Sequence, residues 1–423
     1  MEMVSCSTQE MLSNLPENIL EDILSRLSTR DVVRTSVLST MWRYKWISVP
    51  HLIFSDECIP ISAGSLGHDK LVKIVYHVLL LHRGPVVTFK ISSLQLQSCS
   101  EIDSWMLYLS FNTVKEFKLQ ISKPERHNIP PCLFSFTQLI HLILVGCIIE
   151  LPVTFQGFSC LKSLGFQKVT LSNATLERLV STCPQLEMLK LVDIDGPTHI
   201  ELSNPKLKYL TISGKFIDIC LKDLTSLVSA DFYATNAAHP DQQRTINITN
   251  ILSSVLGIQK LVMQGWFLQS LVIDDVPRRL PSTYDHLKSI SFSLNVEDMK
   301  EILVAICLLN SSPNLQEVEI LIWGNREFAI VPVMDLQEAK DQLGCTFNKL
   351  RVVTMSKLLG MEFELELVKF ILANSPMLER MNISPAIIGI GNVLAFFKKL
   401  LTFKRASPQA EIVCSDLELD RAI

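Results

Sequence analysis

Glycine is scarce in this chain, with 15 in 423 residues. That argues against glycine-rich phosphate loops and barrel corners as organising features. Charge is also sparse: 19% of residues are charged, with a formal net charge of −4 and no long Lys/Arg stripe. Such a chain offers no basic field for nucleic acid. The 11 cysteines are odd in number and dispersed, and no C-x-x-C occurs. Free thiols in a reducing compartment fit better than a disulfide framework. The longest apolar run, Pro385 to Phe397, is too short to span a bilayer. The opening "MEMVSCSTQE" has no basic stretch followed by an apolar core, so no secretory signal is expected. The sequons at Asn173, Asn247, Asn310 and Asn382 should then stay unmodified. These absences predict a soluble intracellular protein of the nucleus or cytoplasm, with neither membrane nor nucleic acid as partner.

What is abundant is apolar. Hydrophobic residues make up 48%, which excludes a largely disordered chain. A length of 423 residues exceeds one ordinary core, so several domains or an elongated repeat are expected.

"NLPENILEDILSRL" (14 to 27) reads as an amphipathic helix. Asn14 can cap, Pro16 suits the first turn, and Ile19, Leu20, Ile23, Leu24 and Leu27 recur at helical spacing. Ser28 and Thr29 break it, and Thr29 with Asp31 can start a second helix through Val32, Val33, Ser36 and Val37. A third pattern runs through Leu38, Met41, Trp42 and Trp46. Periodicity alone fits a small bundle packing its own core. So short a segment hardly buries this much apolar surface, so part of the face should meet something else. A membrane is a poor candidate, because the polar face has mixed charge.

Leu15-Pro16, Ile19-Leu20, Ile23-Leu24, Leu27, Asp31, the run Arg34 to Ser39, Trp42-Arg43 and Trp46 together resemble an F-box, in the form found at the N-terminus of large plant families. Two positions depart from it: Ser28 or Thr29 where a Pro is frequent, and Thr40-Met41 where basic residues are frequent. Neither touches the apolar set. The resemblance implies binding to the Skp adaptor of a Skp–cullin–F-box ubiquitin ligase. Matched to the motif, the adaptor-binding residues would be Leu15, Pro16, Ile19, Leu20, Ile23, Leu24, Val32, Val33, Leu38, Trp42 and Trp46. Some of these must form the module's own core, and the sequence does not separate the two sets.

From about residue 86 a unit recurs: an apolar residue, two spacers, an apolar residue, one spacer, an apolar residue. It appears at Val86/Phe89/Ile91, Val114/Phe117/Leu119, Leu139/Leu142/Leu144, Leu161/Leu164/Phe166, Leu186/Leu189/Leu191 and Leu207/Leu210/Ile212. It returns at Leu287/Ile290/Phe292, Leu315/Val318/Ile320, Leu350/Val353/Met355 and Leu378/Met381/Ile383. "QLIHLILVGC" (138 to 147) approaches the leucine-rich-repeat consensus, so a solenoid of about ten to twelve irregular repeats is expected. Each unit leaves an apolar face that only a neighbour can cover. Leu176, Leu179 and Val180 mark the clearest helix between strands. Between Leu227 and Leu287 the register is open: Ile258 ("IQKLVM") and Leu268 ("LQSLVI") both fit, and one is a false match or part of a hairpin.

Phe347 to Ile383, followed by "LLTFKRASPQAEI", resembles the FBD region of plant F-box/leucine-rich-repeat proteins. Its helix carries Leu365, Val368 and Leu372, and "NSPMLERMNI" echoes "SSPNLQEVEI", so it reads as modified repeats ending in a strand near Glu411 to Val413. The expected α/β architecture is a small helical F-box (11–50) and an irregular leucine-rich-repeat solenoid (51–345), with an FBD region (346–423) closing it. Parallel strands would line the concave side, with helices outside.

Chemistry is thinly represented. Gly389 to Gly391 lacks the third glycine of a dinucleotide fingerprint and reads as a turn. His127, Cys132, His141 and Cys147 match no zinc spacing. Asp193, Asp195 and His199 read as solvated turn residues with no nucleophile setting. Trp266, Phe267, Trp323 and Phe328 are better placed for core or loop packing than for a recognition surface. No cofactor, metal or catalytic residue is expected. The chain reads as a non-catalytic substrate receptor that bridges an adaptor, and through it a cullin, to a protein substrate; the alternative is a repeat scaffold or inhibitor that binds the adaptor without promoting ubiquitination.

Overall fold

The computed structural model describes residues 16–25, 27–38, 42–59, 67–122, 125–197, 199–215, 218–235, 254–265, 267–270, 280, 282–295, 298–323, 346–386, 396 and 398–414. They fall into two units, Met1–Pro197 and Thr198–Ile423.

The first unit opens with helices α1 (Glu17–Ser25) and α2 (Thr29–Arg34), then 3₁₀ turns at Thr35–Val37 and Trp42–Ser48. Ser28 caps α2, its Oγ accepting from the Asp31 N–H at 3.2 Å. There follow β1 (His51–Ser55), α3 (Gly67–Leu81), β2 (Thr88–Ser92), α4 (Ser100–Ser110), β3 (Glu116–Gln120), β4 (His127–Asn128) and β5 (His141–Val145). β6 (Cys147–Ile148), β7 (Ser163–Gln167), α5 (Asn173–Ser181) and β8 (Met188–Val192) complete it. Strands β1, β2, β3, β5, β7 and β8 pair in that order, all parallel. The register aligns Leu52, Phe89, Phe117, Leu142, Leu164 and Leu189 in one row. Phe54, Ile91, Leu119, Leu144, Phe166 and Leu191 form the next. All twelve are buried. Alternation along each strand puts both rows on one face, and burial of each such side chain contributes roughly 2 kcal/mol.

The second unit contains β9 (His199–Ser203), β10 (Tyr209–Gly214), β11 (Asp218–Lys222), β12 (Ser229–Ala234), β13 (Lys260–Gly265), the short helix α6 (Phe267–Ser270) and β14 (Ser289–Asn295). It continues with α7 (Met299–Asn310), β15 (Glu317–Trp323), β16 (Val352–Leu358), α8 (Glu362–Asn374), β17 (Arg380–Pro385) and β18 (Glu411–Cys414). Here β10, β12, β13, β14, β15, β16, β17 and β18 pair in parallel, in that order.

Every member of the ten triplets read from the sequence is buried. Leu365, Val368 and Leu372 are buried in α8, and a strand does run from Glu411. Three details depart from the sequence reading. The first unit of the pattern is Val49/Leu52/Phe54, well before residue 86. "IQKLVM" is the true strand, β13, whereas Leu268 of "LQSLVI" lies in helix α6. Phe267 is core, stacked on Phe232 with ring centroids 5.1 Å apart. Trp323 ends β15, while Trp266, Phe328 and Gly389 to Gly391 lie outside the described residues.

Two backbone devices repeat beneath the irregular sequence. Three residues before most strand-leading positions, though not before Val86 or Val114, lies a buried residue whose carbonyl accepts from that leading residue's N–H. The pairs Phe136–Leu139, Phe158–Leu161, Cys183–Leu186, Asn204–Leu207, Tyr284–Leu287 and Ser375–Leu378 all close this way. At the other end, Gly146, Lys168 and Asp193 each follow a strand with φ of 71°, 53° and 49°. Gly146 and Lys168 donate their N–H groups to the last carbonyl of the next strand, Gln167 and Val192. Left-handed backbone costs a residue with a Cβ about 1 kcal/mol, which this extra bond offsets.

The returns between strands are not uniformly helical. Two small parallel pairs, β4 with β6 and β9 with β11, and the bridges Ile148–Thr170 and Thr170–Asp195 form narrow second ladders.

Candidate partner-binding site

The N-terminal module builds its own small core. Leu20, Leu24, Val32, Trp42 and Val49 are buried together, with Leu27 and Trp46 packed against them. On α1, residues four apart share a face, so Leu20 and Leu24 at 3% and 2% exposure look inward while Ile19 and Ile23 at 43% and 36% look out. Pro16, Val37 and Leu38 are exposed too. Of the eleven motif-matched positions, Leu20, Leu24, Val32 and Trp42 therefore belong to the core, and Trp46 and Val33 are half-buried. Pro16, Ile19, Ile23 and Leu38 are exposed; Leu15 lies outside the described residues. Val37, outside the motif-matched set, is the most exposed apolar residue among those described in the module.

Polar bonds tie this module to the first strand. The buried Thr29 Oγ1 accepts from the Ile53 N–H at 2.6 Å. His82, beyond the end of α3, puts Nε2 3.0 Å from the Val49 carbonyl, so that nitrogen is the donor. Burial lowers the His82 pKa, and its hydrogen bond to the Val49 carbonyl opposes that shift.

Beyond the module, the second face of each strand carries polar residues. In the first unit Lys90 pairs with Glu116 at 2.5 Å, and that bond holds the Glu116 carboxyl below its usual range. Lys118, Ile143, Gly165 and Lys190 lie in one row on this face. In the second unit the corresponding row reads Thr211, Asp231, Val262, Ser291, Glu319, Thr354 and Asn382.

The titratable groups elsewhere serve the scaffold. His127 is buried, with Nδ1 3.0 Å from Ser98 Oγ and Nε2 3.0 Å from Asp103 Oδ1. This Ser–His–Asp chain joins the loop before α4, α4 itself and β4, a link that separations of 29 and 24 residues hid from sequence reading. Cys147 is buried, its thiol pushed up to about 12 by desolvation, and His141 is exposed on β5. Among the described residues no three His, Cys, Asp or Glu groups could hold a metal. Asp195 pairs with Arg126, which also donates to Thr170 Oγ1, so it braces successive returns.

Two buried glutamates, third in their helices, anchor the preceding loops. Glu301 accepts from the Asn295 N–H at 2.8 Å, while its Oε1 is buried without a partner. Desolvation, opposed by that bond and assisted by the Asp298 charge, pushes its carboxyl up to about 7. The folded protein thus binds this proton more tightly than the unfolded chain. The associated stability is complete below the ordinary value of 4.5 and is lost as pH rises through about 7. We expect Glu301→Gln to raise thermal stability at pH 8 by roughly 1–3 kcal/mol and to flatten the pH 5–8 dependence. Unfolding midpoints of the two proteins across that range check this. A wild-type protein whose stability rises toward pH 8 relative to the variant contradicts it.

The repeated parallel strands behind a self-cored helical module define an F-box leucine-rich-repeat protein. Three family models match in chain order: F-box domain over residues 12–54, LRR repeats of the FBD-associated F-box protein At5g56370 over 102–320, and FBD over 343–383. The Arabidopsis thaliana F-box/FBD/LRR-repeat protein At1g13570 is 35% identical over 410 residues, covering 96% of this chain and 98% of that one. F-box/FBD/LRR-repeat protein At1g51370 of the same plant is 25% identical over 407 residues, 89% of each chain. The chain belongs to the plant F-box/FBD/LRR-repeat family. The F-box is a module that generally binds Skp-type adaptors, which gives this chain the general role of a substrate adaptor. None of the described helices is long and apolar enough to cross a membrane.

Proposed function

We propose that this protein is the substrate-recognition subunit of a Skp–cullin–F-box ubiquitin ligase. The observation that carries it is the split of α1: Leu20 and Leu24 satisfy the module's own core while Ile19 and Ile23 stay uncovered. A helix that needed only to fold has no use for that second apolar edge, and adaptor helices would cover it. The module of residues 11–50 would hold the adaptor and, through it, the cullin. Residues 51–345 and the closing region 346–423 would present a protein substrate. The receptor supplies no chemistry: it raises the effective concentration of the target near activated ubiquitin. Such a complex would work in the cytoplasm or nucleus.

The test is reconstitution of the full chain with a plant Skp adaptor, a cullin and its RING partner. We expect a stable four-protein complex that ubiquitinates a protein identified by proximity labelling with this chain. A complex that assembles and captures that protein yet never ubiquitinates it would overturn the receptor role in favour of a scaffold or inhibitor.

A further inference from the structure

A cavity of about 450 Å³ lies in the first unit among α2, the Trp42–Ser48 turn, β1 and α3. Its volume is in the range of small-molecule sites. The wall is apolar: Val33, Trp46, Phe54, Ile74, Val78 and Leu81. Its charged side chains are all basic, Arg30, Arg34 and Lys73, with no carboxylate among the lining residues. In a chain of net charge −4 that is a local reversal. Arg34 has only a long, exposed contact of 3.9 Å with Asp31, and no described carboxylate forms an ion pair with Arg30 or Lys73. The His77 Nδ1 donates to the Lys73 carbonyl at 2.7 Å.

We propose that this cavity binds a small amphipathic organic acid, with an aryl or branched aliphatic body against Trp46 and Phe54 and its carboxylate between Arg30 and Lys73. An apolar body alone would not need the cations, and a polyanion would strand its charges on the apolar wall. A single carboxylate on a hydrophobic stem satisfies both, because the guanidinium fork pairs with it directly. Such a ligand would touch α2 of the N-terminal module and α3 together, bracing one against the other. The site does not depend on the ubiquitin-ligase role.

Cys58 lines the same cavity and reports its occupancy, while the exposed Cys160 serves as an internal control. The full-length chain is treated with iodoacetamide in the presence of 4-phenylbutyric acid or decanoic acid, or of the corresponding neutral amides, and alkylation of each cysteine is read by mass spectrometry. Calorimetry with the same four probes supplies affinities. We expect the acids to slow Cys58 alkylation and not that of Cys160, and to bind at least tenfold more tightly than their amides. Arg30→Gln/Lys73→Gln, both surface changes, should weaken the acids about tenfold or more without lowering the unfolding midpoint. Val33→Trp, which fills the space, should abolish protection. Equal binding of acids and amides, protection that survives Arg30→Gln/Lys73→Gln, or no protection at about 1 mM acid overturns the proposal. So does protection of Cys58 by a bound adaptor alone, which would assign the cavity to a protein segment.

Discussion

Replacing Ile19 and Ile23 together by aspartate lowers affinity for a Skp-type adaptor about a hundredfold or more and leaves the fold intact. Both side chains are partly exposed and neither belongs to the module's core cluster, and substitutions at such surface positions usually shift stability by only about 0.5 kcal/mol. In a complex each isoleucine would bury its remaining exposed surface, contributing about 1 kcal/mol, and aspartate would add a desolvated charge. The neighbouring positions behave oppositely. Leu24→Asp puts a charge into a core of five buried residues, and the module should unfold. Adaptor titration by calorimetry, paired with thermal unfolding of the same samples, distinguishes the two results. Undiminished adaptor binding by the isoleucine double variant means that α1 does not face the adaptor.

Glu364→Ala should cost about 3 kcal/mol or more. The Glu364 carboxylate accepts from Leu359 N at 2.9 Å, Gly360 N at 2.6 Å and Met361 N at 3.0 Å, a turn that joins β16 to α8. Burial pushes this carboxyl up while those donors pull against it. Alanine leaves three backbone N–H groups without their acceptor. Glutamine keeps one oxygen in place, and we expect a loss of only about 1–2 kcal/mol as the bonds lose their charge. Chemical denaturation ranks the variants, and amide exchange at residues 359–361 locates the effect. An alanine variant as stable as wild type would show that water satisfies the turn. The contrast with Glu301, at the same helical position, lies in the donors: Glu301 accepts one backbone N–H where Glu364 accepts three.

The apolar rows were legible because a leucine, isoleucine or phenylalanine two residues from another states its face directly. Val49/Leu52/Phe54 escaped notice because the helical pattern preceding it had claimed Trp46 and its neighbours. Leu227/Ala230/Phe232 blurred the middle of the chain because alanine occupies the central position, although the strand there is as well buried as the rest. The buried turn residue three places ahead of most strand-leading positions could not be read, since phenylalanine, cysteine, asparagine, tyrosine and serine all fill it. Its role is a backbone carbonyl, which every residue has. At the candidate site, the motif located the module but could not orient it. Ile19 and Leu20, or Ile23 and Leu24, are chemically alike and differ only in angle around α1.

The ladder of strands acts as a reading frame. Residues 324–351 lie between β15 and β16, and 235–259 between β12 and β13, yet both pairs keep parallel register with apolar residue opposite apolar residue. Length can be gained or lost in the returns without moving any strand residue to the other face. A single residue added within a strand would instead exchange the two faces downstream to the next turn. Substitutions on the polar face and insertions in the returns are therefore two independent ways for this family to change what it presents, neither of which disturbs the core.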